Sequence, residues 1–513
     1  MNESRLANAK RNMLGALLAK VTGLLFPFIT RTILIYYLGT TYLGLNSLFT
    51  SVLQILSLAE LGFGEAIVFS MYKPMGDGDT REICALLNLY KHFYRYVGIF
   101  IATAGLVITP FIDYLINGSV PNGLNIYVLY LINLAGTVVS YYMYAYRQSL
   151  LTAGQRMDII SNIGTAANII MCVLQITILI LFKNFYMYCL IKPVMTIVQN
   201  LILGHITKKM YPNYICTGHI TKDKYNDITK RVVGLFLFKI CYVLRTSIHS
   251  IILSAYLGLD ILGKYHNYYL IVTTLMGMTS IITNSVVSSI GNSIAIETEE
   301  KNYRDFNKFQ FLYMWLVGWC TVCMICLYQP FINLWLGKEQ LFSDIVMIVF
   351  AVYFFSVSMG NICYVYRQAA GLWWEDRIRP IVDGLLNLFL SLFLVKRIGV
   401  AGVLLATIIC QVVIDAAWGS RILFKNYFIH EKQIKYLKRL GLYIAITSIA
   451  CIFTGWLCCY IPQYSQRKLI ILLYFCIRGL FCVVIPNILF IIIYRRLPEY
   501  KESIVLVQRI LKK

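Results

Sequence analysis

Long hydrophobic stretches separated by short polar segments follow one another along this chain. Most of them are close to or above the 20 residues that a helix needs to cross the hydrocarbon core of a bilayer. We predict fourteen transmembrane spans, at residues 13–38, 44–70, 92–114, 124–147, 158–182, 185–207, 232–258, 265–296, 309–334, 345–366, 380–395, 400–424, 440–461 and 469–494. The pattern therefore predicts an all-α polytopic membrane protein with about 14 transmembrane helices.

Composition and charge agree with this prediction. Of the 513 residues, 59% are hydrophobic and 14% are charged, and the mean hydropathy is +0.68. With the N-terminus inside, 33 of the 46 Lys and Arg residues fall on cytoplasmic segments and 7 on outside loops. Short basic loops stay in the cytoplasm, so we expect a cytoplasmic-membrane protein with both termini inside. The net charge of +22 then needs no nucleic-acid partner.

Two short motifs recur along the chain at nearly the same offset. The YLG sequence at Tyr37, with a second LG shortly after it, returns at Tyr256, and the YxYRQ sequence at Tyr144 returns at Tyr364. An even number of spans separates the copies, so the repeats are parallel and related by an axis along the membrane normal. We therefore predict two six-helix bundles that face each other across a central cavity.

The polar connections between spans predict the domain boundaries. We expect an N-terminal bundle at 1–207, a cytoplasmic linker at 208–231, a C-terminal bundle at 232–425, an appended helix pair at 426–494, and a basic amphipathic tail at 495–513. A solvated tail is the alternative for the last segment, because its basic residues also suit water.

The first span carries two cations at bilayer depth. Lys20 and Arg31 are eleven residues apart, which places them on one helix face, and such charges cost roughly 2.5–3.5 kcal/mol unless they face protein or water. Between them, Gly23 and Pro27 predict a kink or hinge, because Pro27 cannot donate to the Gly23 carbonyl. Snorkelling of both cations to the membrane surfaces is the alternative.

The span at 232–258 repeats this arrangement. Lys239 corresponds to Lys20 in the repeat, and Arg245 and His249 lie four residues apart on one face. These residues, with Lys20 and Arg31, are our candidates for binding an anionic substrate. Pairing with a buried carboxylate is the alternative for Arg245. For Lys192 and Arg478 we favour snorkelling, since each lies near a span end.

Four carboxylates lie within or near the predicted spans, namely Glu60, Glu65, Asp383 and Asp415. They can neutralise buried cations or bind a coupling proton or sodium ion, and the sequence leaves both uses open. Arg147 and Arg367 lie at cytoplasmic span ends, where they can meet an entering phosphate or anchor to lipid.

The fifteen cysteines predict neither a disulfide framework nor a metal site. Most lie inside apolar runs, where they act as small packing residues. Cys320, Cys323 and Cys326 are spaced like ligands, but no His or carboxylate is clustered with them. We therefore expect no metal and no cofactor.

The opening of the chain resembles a known family. The run RNMLGALLAKVTGLLFPFITRTILIYYLGTTYLGLNSLF, followed by LSLAELGFGEAIVFSMYKPMGDGD, is similar to the first two spans of bacterial polysaccharide-transport flippases of the MOP superfamily. The resemblance implies a non-enzymatic flippase that turns undecaprenyl-diphosphate-linked oligosaccharide repeat units to the outer leaflet for capsule or O-antigen assembly. It also implies that the two six-helix bundles form a V around a cationic central cavity. Expected partners are this lipid-linked substrate, membrane lipids, a polysaccharide polymerase and glycosyltransferases.

Three other function classes stay open. A multidrug exporter of the same superfamily would need acidic residues to dominate its cavity, whereas basic residues dominate the spans at 13–38 and 232–258. A flippase for the peptidoglycan precursor handles the same lipid diphosphate. A membrane glycosyltransferase or polymerase would need catalytic side chains in a sizeable outside loop, and the predicted outside loops are short.

Overall fold

The computed structural model describes residues 20, 22–60, 63–118, 120–121, 123–143, 145–462 and 468–503. Most of them are helical, and no β-strand occurs among them, which confirms the all-α prediction. The α-helices are α1 Thr22–Tyr37, α2 Thr40–Leu56, α3 Phe63–Asp77, α4 Thr80–Ile108, α5 Ile126–Tyr142, α6 Gln148–Ala153, α7 Met157–Leu181, α8 Phe185–Met210, α9 Lys222–Leu257, α10 Leu259–Ile296, α11 Glu299–Leu336, α12 Asp344–Met359, α13 Asn361–Ala369, α14 Arg379–Ile398, α15 Val400–Cys410, α16 Ser420–Asn426, α17 Gln433–Cys459 and α18 Lys468–Tyr494.

These helices make the chain a multi-pass membrane protein. Within the described residues, eight helical segments are long and apolar enough to cross a membrane: Thr80–Phe111, Met157–Leu181, Phe185–Met210, Glu299–Leu336, Asp344–Ala369, Val400–Asn426, Gln433–Cys459 and Ile470–Tyr494. Shorter apolar helices occur at Thr22–Tyr37, Ile126–Tyr142 and Ser247–Leu257. Helix overlies at least part of each of the fourteen predicted spans.

Several helices begin earlier than hydropathy predicts. Helix α4 begins at Thr80 because the Asp79 carboxylate accepts a hydrogen bond from the Glu82 amide, 3.0 Å away. Helices α9 and α11 likewise include charged turns ahead of their apolar parts. Hydropathy detects only the part of a helix that hydrocarbon covers. As a result, the part of the predicted 208–231 linker that is not α-helical is confined to 211–221.

The chain forms two compact units, Met1–Gly263 and Lys264–Lys513, which we call the first and second units. Helix α9, which we expected to open the second bundle, contacts α2 and α3 of the first unit. The predicted domain boundaries and the V-shaped arrangement stay predictions.

Within the first unit, the starts of α2 and α10 approach at two glycines. A Cβ on Gly44 would lie closer than 3.0 Å to the Leu259 carbonyl oxygen, and a Cβ on Gly263 equally close to that of Thr40. The offset that relates the two YLG motifs also takes Thr40 to Leu259 and Gly44 to Gly263. The two contacts are therefore repeat-related copies of one contact, and each needs glycine to bring two backbones together. We call this feature the glycine crossing.

In the second unit, α11 packs against α12, α17 and α18. The indole N–H of Trp315 donates to the Asn487 side-chain oxygen at 2.8 Å, and that of Trp319 donates to the Cys482 carbonyl at 2.9 Å. Buried indole groups need such partners. The appended pair α17 and α18 is therefore an integral part of the second unit.

Candidate functional site: a polar cavity in the first unit

A polar cavity of about 470 Å³ lies among α2, α5 and α8. We call it the first cavity. Most of its lining side chains carry hydroxyl or amide groups, or a charge. They are Thr50, Leu53, Gln54, Ser57, Asn133, Gly136, Thr137, Ser140, Tyr141, Lys192, Pro193 and Thr196. Polar groups at this density inside apolar helices are expensive unless they face protein or water, so the cavity is the natural place for a polar ligand.

One face of α5 supplies much of this lining. Asn133, Thr137 and Ser140 are spaced four and three residues apart, which aligns them on one side of the helix. The Thr137 hydroxyl donates to the Asn133 carbonyl at 3.0 Å, and the Ser140 hydroxyl to the Thr137 carbonyl at 2.6 Å. With their protons bound to the backbone, these hydroxyls keep lone pairs that can accept hydrogen bonds from a ligand.

Helix α8 brings a cation to the same cavity. Lys192 lies next to Pro193, and a Cβ on Gly136 of α5 would lie closer than 3.0 Å to the Pro193 ring. The glycine thus lets α5 and α8 pack closely at this point. Lys192 is the cation among the lining residues. We expected Lys192 to snorkel, and this stays a prediction, since the residue is exposed and lines an open cavity.

The carboxylate of Glu60 lies behind the wall of the first cavity. Tyr141, which lines the cavity, donates its hydroxyl to Glu60 at 2.7 Å, and the Tyr94 hydroxyl donates to the other carboxylate oxygen. The Tyr90 hydroxyl in turn donates to Tyr94 at 2.8 Å. Tyrosine hydroxyls therefore bind both carboxylate oxygens, and one of the two tyrosines, Tyr141, also lines the cavity.

The predicted residues of α1 lie in the first unit without joining the lining of the first cavity. Arg31 is half-buried and lies close enough to Tyr188 of α8 for electrostatic interaction. Lys20, also half-buried, is helical and lies just before Thr22. Helix α1 continues through Pro27, and a Cβ on Gly23 would meet no atom within 4 Å. Packing therefore does not require glycine at position 23.

The other predicted residues of the first unit are dispersed. Glu65 is exposed, and the half-buried Arg147 lies beside Tyr146. His249 is buried. The side chains of Lys239 and Arg245, in α9, lie outside the described residues.

In the second unit, two predicted residues meet directly. A guanidinium nitrogen of Arg367 lies 3.2 Å from Asp415, and one of Arg379 lies 2.7 Å from the same Asp415 oxygen. Arg379 also donates to Asp376 at 2.9 Å. The buried Asp383 lies close enough to Arg379 for electrostatic interaction. We call Arg367, Asp376, Arg379 and Asp415 the charge cluster, and its two positive and two negative charges balance.

A local change of helix type accompanies the charge cluster. Asp415 lies in the π-helical segment Gln411–Gly419, a rare geometry that often marks functional positions. A Cβ on Gly419 would collide with the Arg367 guanidinium, so glycine makes room for the arginine. The π-helix was not predicted, because its residues follow an ordinary apolar pattern.

A second cavity, of about 690 Å³, lies at helix ends of the second unit. It is lined by Glu375, Val413, Ala417, Trp418, Arg421, Ile422, Lys425, Asn426 and Gln433. Its charges are of both signs, and the adjoining Trp374 is exposed.

Comparison with solved structures gives the fold a wider context. A lipid II flippase MurJ, in an inward closed conformation, matches with a TM-score of 0.68 at 15% identity, over 95% of this chain and 99% of that one. An inward-facing multidrug resistance MATE family transporter of the MOP superfamily matches with a TM-score of 0.60 at 15% identity, over 78% of this chain and 94% of that one.

A third match, to a MOP superfamily transporter from Pyrococcus furiosus described as having a binding pocket of reverse polarity, has a TM-score of 0.53 at 17% identity, over 81% of this chain and 96% of that one. No family model and no curated sequence matches the chain. At these identities the likeness concerns the fold, and the chain has the fold of MurJ and MATE transporters of the MOP superfamily.

Proposed function

We propose that the chain is a flippase that moves undecaprenyl-diphosphate-linked oligosaccharide repeat units from the inner to the outer leaflet of a bacterial cytoplasmic membrane, for surface polysaccharide assembly. The single observation that carries this proposal is the first cavity, with its many hydroxyl and amide groups and the cation Lys192. Sugar hydroxyls need hydrogen-bond partners that replace water, and a diphosphate needs positive charge, because both are costly to bring into hydrocarbon.

The positions and partners of the carboxylates in the first unit favour an anionic substrate over a cationic drug. Within the part of the chain that the structure describes, the first cavity has no carboxylate in its lining, and Glu60 has both oxygens bound to tyrosine hydroxyls. A cationic ligand would meet Lys192 and would be repelled. An anionic, hydrogen-bonding head group would be attracted, and Lys20, Arg31, Lys239, Arg245 and His249 would extend the positive path.

Alternating access supplies the movement in this proposal. The glycine crossing joins repeat-related ends of α2 and α10, on the side that the charge distribution assigns to the outside. It would act as the outer gate, and Gly23 and Pro27 would let α1 bend as the gate opens. Arg147 and Arg367 stay candidates for meeting the substrate at its entry.

The carboxylates divide between the two roles that the sequence left open. Asp415 contacts two arginines, which supports charge balance for this residue, and Asp383 lies near the same cluster. Glu60, held only by tyrosine hydroxyls in the bonds described above, and Glu65 stay candidates for a coupling proton or sodium ion. No step of the proposed transport makes or breaks a covalent bond in the cargo, so the protein would not be an enzyme.

A lipid II flippase is the second candidate. The match to MurJ extends over 95% of this chain, while the inward-facing MATE transporter matches 78%. Both lipid-linked substrates have the same polyprenyl diphosphate, so the first cavity suits either. A polymerase and glycosyltransferases are partners only of the first candidate.

The test is flipping in proteoliposomes. Purified full-length protein is reconstituted with a fluorescent lipid-linked oligosaccharide, with fluorescent lipid II, or with a fluorescent organic cation, and a membrane-impermeant quencher reports transfer. We expect transfer of the oligosaccharide lipid, with a rate about tenfold lower in Lys192→Ala, because a charge-assisted hydrogen bond is lost. Lys183→Ala, at the end of α7 and outside the first cavity, is the matched control and should transfer normally.

Each other outcome has a distinct meaning. Faster transfer of lipid II than of the oligosaccharide lipid would replace the first candidate with the second. Transfer of the cation alone would overturn both and identify a drug exporter. Normal oligosaccharide transfer by a well-inserted Lys20→Ala/Arg31→Ala variant would remove α1 from the binding path.

A further inference from the structure

Three buried cysteines from three different helices converge in the second unit. The sulfur atoms of Cys326 in α11, Cys458 in α17 and Cys482 in α18 all lie within 4.8 Å of one another. Cys323, one turn before Cys326, lies within hydrogen-bonding reach of Cys482. We call Cys326, Cys458 and Cys482, with Cys323, the thiol cluster. It lies outside the first cavity and the charge cluster, and the proposed transport does not use it.

The concentration of cysteine in these helices is uneven. Eight of the fifteen cysteines lie in α11, α17 and α18. Close packing of helices requires only a small side chain, which alanine or serine can also supply at a helix interface. Packing therefore does not explain why sulfur is chosen at three facing positions of separate helices.

The spacing of the sulfurs suits a metal ion. Metal–sulfur bonds of about 2.3 Å around a zinc ion place neighbouring sulfurs about 4 Å apart, so the observed arrangement needs only a small contraction. Sulfur is the sole donor type in the cluster, and thiolates select soft ions such as Zn²⁺ and Cu⁺ over Mg²⁺ or Ca²⁺.

A buried cation, Arg478, lies beside the thiol cluster. Arg478 is 3% exposed and lies close enough to Cys458 for direct electrostatic interaction. One guanidinium nitrogen donates to the Ile461 carbonyl, while Nε is buried without a hydrogen-bond partner among the described residues. We expected Arg478 to snorkel as a lone cation, and this prediction is wrong, because the residue is buried inside the second unit.

From this geometry we infer that the thiol cluster is a binding site for a soft d¹⁰ metal ion, with Zn²⁺ as the representative ion. On binding, Cys326, Cys458 and Cys482 each lose a proton and form one sulfur–zinc bond, which gives a complex of net charge −1. Arg478 then makes the site neutral, as a site among membrane helices requires. The ion would fasten α17 and α18 to α11.

The first experiment needs no variant. The full chain, purified with a histidine-free tag and stripped with a chelator, is titrated with Zn²⁺, and bound metal is measured by mass spectrometry. A parallel titration with Cd²⁺ follows the thiolate-to-metal charge-transfer absorption. We expect about one ion per chain, release of protons, and a rise in the thermal unfolding midpoint. Absence of thiolate absorption at saturating Cd²⁺ would overturn the inference and leave the cysteines as packing residues.

Variants then locate the site. Cys326→Ala and Cys458→Ala keep apolar side chains at both positions, and the double variant should lose the bound ion and the zinc-dependent rise in midpoint. Cys172→Ala and Cys410→Ala, which change buried cysteines outside the cluster, should keep both. Unchanged metal binding in the double variant, or equal loss in the control variants, would contradict the assignment.

Discussion

The two units differ in how their polar side chains are arranged inside the protein. In the first unit, the polar side chains of α2, α5 and α8 line an open cavity, and Glu60 is bound by neutral tyrosine hydroxyls. In the second unit, arginines and aspartates are closely paired in the charge cluster. A polar group that faces space can exchange one partner for another, whereas a buried ion pair resists change, because separating it leaves a charge in a poor solvent. The first unit is therefore suited to binding, and the second to holding its shape.

The arginines of the repeated YxYRQ motif differ between the two units. Arg147 and Arg367 occupy corresponding positions of the YxYRQ motif. Arg367 joins the charge cluster, while Arg147 lies beside Tyr146. A little further along the first unit, Arg156 pairs with Asp158 at 3.0 Å, and Arg156 is 29% exposed. The motif arginine of the second repeat thus belongs to a buried network, and the nearby pair in the first unit joins a partly exposed arginine to the buried Asp158.

The largest expected effect is on the charge cluster. Arg379→Ala should lower the free energy of unfolding by about 3–5 kcal/mol, because two carboxylates lose a buried partner. The comparison variant Lys224→Ala in the first unit should cost about 1 kcal/mol or less, since its pair with Glu82 is largely solvated. Unfolding midpoints of the purified proteins in detergent give the comparison, and equal losses in the two variants would refute the contrast between the units.

The next effect concerns the glycine crossing. Gly44→Ala or Gly263→Ala should slow flipping at least several-fold, since each added Cβ would collide with a backbone carbonyl that cannot move aside as a side chain can. Gly441→Ala in α17 is the control, because a Cβ there meets nothing within 4 Å. Transfer rates in proteoliposomes test this prediction, and wild-type rates in both crossing variants would show that the glycine crossing is not a gate.

A smaller effect is expected from the proline of α1. Pro27→Ala restores a backbone hydrogen bond and should slow transfer more than it weakens substrate binding, because it stiffens a helix that must bend. Pro486→Ala in α18 makes the same change in a helix of the second unit and should leave transfer unchanged. Similar rates for wild type and Pro27→Ala, with Gly23→Ala/Pro27→Ala also unaffected, would show that α1 has no hinge role.

The smallest effect lies at the surface of the second unit. The His430 ring is 2.8 Å from the Glu299 carboxylate, and this hydrogen bond raises the pKa of His430. The protonated pair stabilises the fold at a pH below the ordinary histidine pKa, and the contribution disappears as pH rises through the raised pKa. His430→Ala should therefore lower the unfolding midpoint slightly at about pH 5 and not at about pH 8. A loss of equal size at both pH values would exclude this linkage.

Much of the fold was predictable from the sequence, because hydropathy reports burial in lipid directly. Helix overlies at least part of each predicted span, and the YLG repeat relates Gly44 to Gly263, although no contact at these glycines was predicted. The starts of α4, α9 and α11 were placed too late, since their first turns lie beyond the apolar pattern. The π-helical segment around Asp415 was invisible, because it depends on packing around Arg367.

The candidate site was predictable only in part. Arg367 and Asp415 were selected singly, but their pairing depends on a tertiary contact between residues 48 apart. The polar stripe at Asn133, Thr137 and Ser140 was readable at helical spacing and was overlooked in favour of charged residues. Cys320, Cys323 and Cys326 were noted as spaced like ligands, but a metal was not expected because no further ligand is near them in the sequence. The sulfurs of Cys458 and Cys482 belong to helices more than a hundred residues further along the chain.

Protection from chemical labelling tests most directly whether the substrate binds in the first cavity rather than the second. Single cysteines are introduced as Thr137→Cys in the first cavity and Ala417→Cys in the second, and maleimide labelling of each is read by peptide-resolved mass spectrometry, with and without a lipid-linked oligosaccharide. We expect the substrate to slow labelling at position 137 several-fold and to leave labelling at position 417 unchanged. Protection at position 417 with none at position 137 would contradict it, because the substrate would then bind in the second unit.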